Sequence, residues 1–311
     1  MSPVPEPAAP LPSLTAATAL VGVLGDPVRH SLSPVMHNAA LRELGLDWVY
    51  LALPVAAEAL AGVVRALEAL DCRGLNVTLP HKQVAAALAD ELTPLAQRLG
   101  AVNTLVRRPQ GGWLGTNTDV EGFLAPLGAA AAWAGRRAVV LGCGGSSRAV
   151  LAGLGSLGLA RIQLAARRPP ALAAVLADLG PWLPALQGLA WTDGPELAEA
   201  LAAADLVVNT TPVGMASTRD PGAAARLPLS AAELAALRPG ATVYDLIYTP
   251  RPTALLAAAQ ARGCSVFDGL EMLVQQGAAA LRLWSGMAEV PVAGMRAAAL
   301  QQLGEGPSPQ P

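Results

Sequence analysis

The feature that most constrains the fold is a short apolar run, Ala138–Leu141, followed directly by a glycine-rich turn, Gly142–Ser146. A segment with Val150, Leu154 and Leu157 on one helical face comes next. Glycine lets the backbone turn sharply and approach a ligand, and the N–H groups of a first helical turn attract phosphate. The pattern therefore predicts a strand, a turn and a helix that bind the pyrophosphate of a nucleotide.

Two positions next to the turn bear on this prediction. Ser147 stands where the usual fingerprint has Gly or Ala, so a generic tight turn is the alternative interpretation. Arg148 would add a cation near the phosphates. The pyrophosphate contacts are expected from the turn residues Gly142, Cys143, Gly144, Gly145 and Ser146.

The next strand indicates which dinucleotide is bound. A carboxylate at the end of this strand would hold a ribose 2′-hydroxyl, whereas arginines suit a 2′-phosphate. The segment Ala160–Ala166 ends in Arg167 and Arg168, and no carboxylate follows until Asp178. This favours NADP over NAD; two solvated arginines are the alternative interpretation.

Length and composition exclude several classes of protein. A chain of 311 residues favours two domains. A net charge of −2 with scattered basic residues gives no sign of a nucleic-acid partner. Its content of hydrophobic residues is 53%, but no uninterrupted apolar stretch is long enough to span a membrane. A small-molecule substrate is expected, and the oligomeric state is left open, a homodimer included.

The three cysteines, Cys72, Cys143 and Cys264, show no spacing typical of a metal site or a redox pair. They indicate buried free thiols in a reducing, cytoplasmic compartment, with no metal expected. Residues 1–19 and 304–311 are interpreted as a disordered leader and a disordered tail.

Apolar strand-like runs alternate with helical patterns, which predicts an α/β protein. Strands are expected at 20–24, 48–53, 74–78, 102–107, 112–115, 137–141, 161–165, 205–209, 241–245 and 264–267. Helices are expected at 33–44, 119–127, 270–285 and 292–303. The fold class is therefore two domains: an N-terminal mixed or parallel α/β domain and a Rossmann-type, doubly wound nucleotide-binding domain.

Polar side chains that could take part in binding or catalysis follow the strands of the first half of the chain. Open parallel sheets bind ligands at that end of their strands. They are Ser31, Ser33, Asn76, Thr78, Lys82, Asn103, Thr104, Asn117, Thr118 and Asp119. This set suits a small polyhydroxylated acid. Structural roles are the alternatives: Ser33 and Asp119 could cap helices, and Lys82 could be a solvated lysine.

These residues and others form an ordered series of motifs that resembles the shikimate dehydrogenases. The motifs are Ser31–Pro34, Asn76–Lys82, Ala101–Thr104, Asn117–Asp119, Gly142–Arg148, Asn209–Met215 and Asp268–Gln276. The resemblance covers residues 25–285. It implies the NADPH-dependent reduction of 3-dehydroshikimate to shikimate, a step of the chorismate route to aromatic amino acids. It also implies a substrate domain at 20–118, completed by helices at 270–303, and a nucleotide domain at 119–269.

The resemblance also implies a role for each site residue. Lys82 and Asp119 form the catalytic pair, with lysine as proton donor to the alkoxide left by hydride transfer. The remaining substrate contacts are Ser31, Ser33, Thr78, Asn103, Tyr248 and Gln276. Arg167 and Arg168 hold the 2′-phosphate, and Leu246 and Gly269 lie near the nicotinamide.

One departure from the family concerns the cofactor. Ala166-Arg167-Arg168 stands where the family commonly has Asn-Arg-Thr, so an amide and a hydroxyl are missing. A related branch oxidises quinate as well, often with NAD, and has an acidic residue after an Arg-Arg pair; this chain has Pro169-Pro170 there. Three functions are compared: an NADP-dependent shikimate dehydrogenase, a quinate/shikimate dehydrogenase, and a catalytically silent sensor. The presence of both Lys82 and Asp119 disfavours the third.

Overall fold

A computed structural model describes residues 14–192, 194–217 and 220–305 of the chain. Most of the leader predicted at 1–19, and residues 306–311 of the predicted tail, lie outside these residues. Within the described part, the first strand already begins at Ala19. The side chains of Thr15 and Thr18 both donate hydrogen bonds to Asp47.

The described residues form twelve strands and twelve α-helices in two sheets. The strands are β1 Ala19–Gly25, β2 Trp48–Pro54, β3 Gly74–Val77, β4 Glu91–Leu92, β5 Thr104–Arg107, β6 Trp113–Thr116, β7 Arg137–Leu141, β8 Arg161–Ala166, β9 Leu186–Ala190, β10 Leu206–Asn209, β11 Thr242–Asp245 and β12 Ser265–Phe267. The helices are α1 Ser33–Glu43, α2 Leu60–Ala69, α3 Lys82–Leu88, α4 Pro94–Leu99, α5 Asp119–Leu124, α6 Gly145–Ser156, α7 Pro169–Leu179, α8 Glu196–Ala203, α9 Ala231–Ala236, α10 Ala254–Ala261, α11 Leu270–Ser285 and α12 Val292–Gln302.

The second sheet has the strand order of a doubly wound nucleotide-binding fold. Its order is β12-β11-β10-β7-β8-β9, and every neighbouring pair is parallel. If the six strands are numbered 1 to 6 along the chain, with β7 as strand 1, the order read from the β9 edge is 3-2-1-4-5-6, as in dinucleotide-binding folds. The chain changes direction across the sheet between β7 and β10, and ligands bind at such a switch point. The predicted Rossmann-type sheet is confirmed.

The first sheet is mixed, with the order β2-β1-β3-β5-β6-β4. Strand β1 pairs in parallel with β2 and β3, while β5 runs antiparallel to β3 and β6. Because β5 is antiparallel to both of its neighbours, β3 and β6 point the same way. Their carboxyl ends therefore lie at one edge of the sheet, and this places the residues that follow them together.

The last two helices pack on the first sheet. Leu270, Val274 and Leu281 of α11 belong to the same buried cluster as Val21 and Met36 near the start of the chain. Trp284 of α11 also donates a hydrogen bond from Nε1 to the Leu105 carbonyl at 3.1 Å. The chain thus returns to its first sheet after completing the second.

Two strands were not predicted. The two residues of β4 pair in parallel with β6, and β9 forms an edge of the second sheet beside β8. The β9 sequence, Leu-Gln-Gly-Leu-Ala, has no β-branched or aromatic residue, so it carries little strand signal. No helix in the part of the chain described here is long and apolar enough to cross a membrane.

Candidate active site

Lys82 and Asp119 form a buried ion pair at the edge where β3 and β6 end. Lys82 begins α3 after β3, and Asp119 begins α5 after β6. The Lys82 Nζ lies 2.6 Å from Asp119 Oδ2, and the two side chains are only 9% and 7% exposed. A charged pair this well buried is costly unless its remaining hydrogen bonds are made. The solvated lysine considered from the sequence is excluded.

An amide network holds the carboxylate of this pair. Asn103 Nδ2 donates to Asp119 Oδ1 at 2.9 Å, and it also lies 3.0 Å from Thr118 Oγ1 and 3.3 Å from Gln276 Oε1. The Asn103 carbonyl oxygen Oδ1 accepts from the Thr118 N–H at 2.8 Å. Residues that are 173 positions apart in sequence, Asn103 and Gln276, are thereby joined beside Asp119. The capping role considered for the Asp119 side chain is wrong, since it has no cap bond and points to Lys82 and Asn103.

The serine pair lies at the start of α1. Ser31 Oγ accepts from the Ser33 N–H at 3.2 Å, and Ser33 is buried. Ser33 is the first residue of α1, and the N-cap position is Leu32, which makes no side-chain cap bond. The prediction that Ser33 caps α1 is therefore wrong. A capping residue must precede the first helical residue, whereas Ser33 is itself the first residue of α1.

Tyr248 and Thr78 lie near this pair from two other elements. Burial raises the pKa of the Tyr248 hydroxyl, and a hydrogen bond with the Leu32 backbone partly lowers it again. Tyr248 comes from the loop after β11, so the second sheet contributes to the edge of the first. Thr78 directly follows β3 and is half-buried. Its side chain makes no hydrogen bond to another described residue, which leaves the hydroxyl available to a ligand.

The turn after β7 is shaped for close approach of a ligand. Gly142 has φ +101°, and a Cβ there would lie 2.8 Å from Thr210 Oγ1 and 2.9 Å from Thr211 Cγ2. Gly144 is exposed with open space beside it, and as the N-cap of α6 it offers no side chain to the first helical N–H groups. These donors lie at the switch point of a parallel sheet, and this fits a dinucleotide pyrophosphate.

The ion pair and the turn are in direct contact. Ser146 Oγ lies 3.5 Å from Lys82 Nζ, and a Cβ on Gly145 would meet Lys82 Cβ at 3.4 Å. All three cysteines are free thiols, and Cys72 and Cys264 are buried as expected. Cys143, in the same turn, is only half-buried, so the expectation of a buried thiol is wrong at that position. A group bound at the turn would therefore lie next to the lysine.

Arg148 does not contribute to the turn. Its guanidinium is buried, with NH1 donating to the Leu99 carbonyl at 3.0 Å and NH2 to Asp178 Oδ2 at 2.6 Å. The prediction of a phosphate-binding cation at Arg148 is wrong. As the fourth residue of α6 it points to the side of the helix that packs on α4 and α7, away from the open first turn.

The two arginines after β8 are exposed, and neither forms an ion pair within the described residues. Gly142 N–H donates to the Ala165 carbonyl at 2.9 Å, so the end of β8 lies directly beside the turn. Arg167 also has its guanidinium carbon 5.6 Å from the ring centroid of Trp191, an arrangement that sequence reasoning missed. The charge pattern fits a cofactor with a 2′-phosphate.

Leu246 and Gly269 meet although they are 23 positions apart in sequence. A Cβ on Gly269 would lie 1.9 Å from the Leu246 carbonyl oxygen, so only glycine fits. Sequence reasoning missed the group that fixes this loop, Asp245. Its buried carboxylate accepts from Asn209 Nδ2 at 2.9 Å, Thr253 Oγ1 at 2.8 Å and the Ile247 N–H at 3.2 Å. The only sequence feature that could have indicated this role of Asp245 was an acidic residue at the end of an apolar strand.

Comparison with known proteins places this architecture in a family. The model of the shikimate dehydrogenase substrate binding domain matches residues 23–105, and that of the shikimate 5'-dehydrogenase C-terminal domain matches residues 269–300. Shikimate dehydrogenase (NADP(+)) of Nostoc sp. is 46% identical over 295 residues, which cover 94% of this chain and 99% of the relative. The chain belongs to the shikimate dehydrogenase family.

Two further proteins of the family extend this comparison. Shikimate dehydrogenase (NADP(+)) of Synechocystis sp. is 48% identical over 299 residues, covering 94% of this chain and 99% of the relative. The crystal structure of shikimate 5-dehydrogenase from Thermus thermophilus in complex with NADP(H) and shikimate has a TM-score of 0.77 and 38% identity, covering 91% of this chain and 99% of that one. The resemblance stated from the sequence motifs is confirmed.

Proposed function

We propose that the protein catalyses the reversible, NADP-dependent interconversion of 3-dehydroshikimate and shikimate, in the route to chorismate and aromatic amino acids. The observation that carries this proposal is the buried Lys82–Asp119 pair in contact with a glycine turn built for a dinucleotide. A reducible ketone needs a hydride source and a proton donor in one place, and these two features supply the positions for both. Family membership supports the substrate.

The chain's own residues account for proton transfer. When bound, the nicotinamide supplies or accepts the hydride. In reduction, the Lys82 ammonium gives a proton to the oxygen of the former ketone, whose alkoxide it also stabilises by charge. In oxidation, the Lys82 amine takes the proton from the hydroxyl. Asp119 keeps Nζ in place at 2.6 Å, and Asn103 keeps Asp119 in place through Oδ1.

The other site residues bind and orient. We propose that Ser31, Ser33 and Tyr248 hold the substrate carboxylate side, and that Thr78 and Gln276 meet its hydroxyl side, with Asn103 and Asp119. Gly142, Cys143, Gly144, Gly145 and Ser146 would hold the pyrophosphate, Arg167 and Arg168 the 2′-phosphate, and Leu246 and Gly269 would line the nicotinamide site. Neutral hydroxyl donors to a charged carboxylate stabilise binding by about 1.5–3 kcal/mol each.

We further propose two domains, a substrate domain at 20–118 completed by 270–303 and a nucleotide domain at 119–269. The packing of α11 on the first sheet supports this division. A cytoplasmic location is proposed from the three free cysteines, which suit a reducing compartment. The homodimer considered from the sequence stays a prediction, which light scattering of the purified protein measures.

Initial rates test the proposed function. Purified protein is assayed with shikimate and with quinate, each with NADP and with NAD. We expect turnover with shikimate and NADP to exceed the other three combinations. Equal or faster oxidation of quinate with NAD would favour the quinate/shikimate branch, and tight binding of shikimate without turnover would favour a silent sensor.

A further inference from the structure

The ring of Trp191 is placed to hold the guanidinium of Arg167. The guanidinium carbon lies 5.6 Å from the ring centroid, within the distance at which a cation is attracted to an aromatic face. A backbone hydrogen bond supports this arrangement: the main-chain N–H of Trp191 donates to the Ala166 carbonyl at 3.0 Å. The residue that carries the ring is thus bonded to the residue directly before Arg167.

No other side chain in the described structure fixes this arginine. Ala166 offers no polar group, and no carboxylate within the described residues lies within ion-pair distance of Arg167. Arg168 is exposed and lies over no aromatic ring of the described residues. Trp191 itself is half-buried against the core cluster that contains Leu197 and Val207. The ring is therefore anchored, and the guanidinium that lies over it makes no hydrogen bond or ion pair with any described residue.

We propose that Trp191 is a positioning residue for cofactor selectivity, which holds the Arg167 guanidinium ready for the 2′-phosphate of NADP. Arg167 follows the strand whose Ala165 carbonyl accepts from the first glycine of the turn, so it stands one strand away from the pyrophosphate site. Guanidinium N–H groups suit phosphate oxygens, and a stacked guanidinium loses less side-chain freedom on binding. The inference rests on the proposed use of NADP, and it does not depend on which substrate is reduced.

The experiment measures dissociation constants for NADPH and NADH by calorimetry in four proteins: wild type, Trp191→Leu, Trp191→Phe and Arg167→Ala. Leucine keeps an apolar side chain against the core but has no aromatic face, whereas phenylalanine keeps a face. We expect Trp191→Leu to weaken NADPH binding by about 2- to 5-fold, the range for an exposed cation–π contact, and to leave NADH binding unchanged. Trp191→Phe should restore most of the NADPH affinity.

The double variant Trp191→Leu with Arg167→Ala tests whether the ring acts through the arginine. We expect its NADPH dissociation constant to equal that of Arg167→Ala alone, because the ring then has nothing to position. Arg136→Ala is the matched control. Arg136 is also exposed and stacks on a tryptophan, with its guanidinium carbon 5.5 Å from the Trp133 ring, but it lies before β7, at the opposite end of the sheet. Its removal changes the net charge equally and should leave both affinities unchanged.

Three results would overturn the proposal. An equal loss of NADPH and NADH affinity in Trp191→Leu would show that the ring contacts a part common to both cofactors, such as the adenine. Unchanged affinity for both would show that the ring has no role, and a loss in the double variant that adds fully to that of Arg167→Ala would show an independent one. Failure of the proposed function would be seen in a different experiment, the rate assay of the wild-type protein. If wild type does not turn over shikimate, the proposed function is wrong, and the binding constants of these variants do not affect that conclusion.

Discussion

Replacing Asp245 with asparagine should make the protein more stable at neutral pH, and the gain should grow with pH. Asp245 ends β11 with no exposed surface. Burial raises the pKa of its carboxyl from 3.8 to about 6, although the hydrogen bonds from Thr253, Ile247 and Asn209 lower it in part. Asparagine has nearly the same shape as the neutral acid. It keeps an oxygen for the Asn209 and Ile247 donors and can donate to Thr253 Oγ1 with its amide.

The size of the effect follows from the two pKa values. In the unfolded chain the carboxyl ionises near pH 3.8, whereas in the folded protein it ionises only near pH 6, so ionisation disfavours folding between and above these values. One pKa unit corresponds to about 1.4 kcal/mol, so the full penalty is about 3 kcal/mol. By the same linkage, Asp245→Asn should be more stable than wild type by about 3 kcal/mol at pH 8, and by roughly half of that at pH 5.

Urea unfolding of both proteins at pH 5, 6, 7 and 8 measures this difference. Asp205→Asn is the control, and the opposite change in the free energy of unfolding is expected for it. Burial pushes the pKa of Asp205 up, but the Arg137 N–H and the Arg238 guanidinium together bring it below 3.8, so its charge favours folding above that pH. Asp205→Asn should therefore destabilise the protein at pH 8. A stability difference for Asp245→Asn that does not change with pH, or a loss that grows with pH, would refute the reasoning.

Four further variants test the roles assigned to individual residues. Lys82→Ala should lower kcat at least about 100-fold and leave the shikimate KM within a few-fold, because it removes proton transfer; more than about a tenth of wild-type kcat would contradict that role. Ser31→Ala and Ser33→Ala should each raise the shikimate KM by about tenfold or more while the NADP KM is unchanged. Since Ser33 caps no helix, neither variant should lose the stability of a cap in thermal unfolding, and equal changes in both KM values would indicate a role in folding only. Arg148→Met should lower the free energy of unfolding in urea by about 1–3 kcal/mol, because the Leu99 carbonyl loses its donor. Its NADPH affinity should stay unchanged, and a clear loss in calorimetry would return Arg148 to the cofactor site.

The sequence predicted those strands and helices whose buried residues form a local hydrophobic pattern. Val139, Val140 and Leu141 of β7 are β-branched or apolar and fully enclosed, and the run before the glycine turn identified the strand. Val150 and Leu154 of α6 are buried in one cluster, as their helical spacing indicates. Strand β9 has no such pattern, because its place comes from pairing with β8 along the whole strand.

The same distinction between local pattern and tertiary packing applies to the site residues. Lys82 and Asp119 could be found because each stands in a motif, but their 2.6 Å contact depends on β3 and β6 ending at one edge, which no local pattern states. Arg148 also stands in a motif, yet its direction is set by α4 and α7, which pack on the far side of its helix. Motifs identify the residue types, whereas tertiary packing decides which way a side chain points.

The contact between Lys82 and the glycine turn joins the first sheet to the second at the proposed active site. Lys82 is fixed from the first sheet by Asp119 and by its own carbonyl, which accepts the Val102 N–H at 2.8 Å. From the second sheet, Gly145 stands close enough that a Cβ would touch Lys82 Cβ at 3.4 Å. A Cβ at position 145 would make an ordinary van der Waals contact with the Lys82 stem, so alanine fits there, whereas a longer side chain would have to share that space with the lysine. Under the proposed function, position 145 therefore lies between the proposed proton donor and the proposed pyrophosphate site, so its side chain is limited in size from both sides.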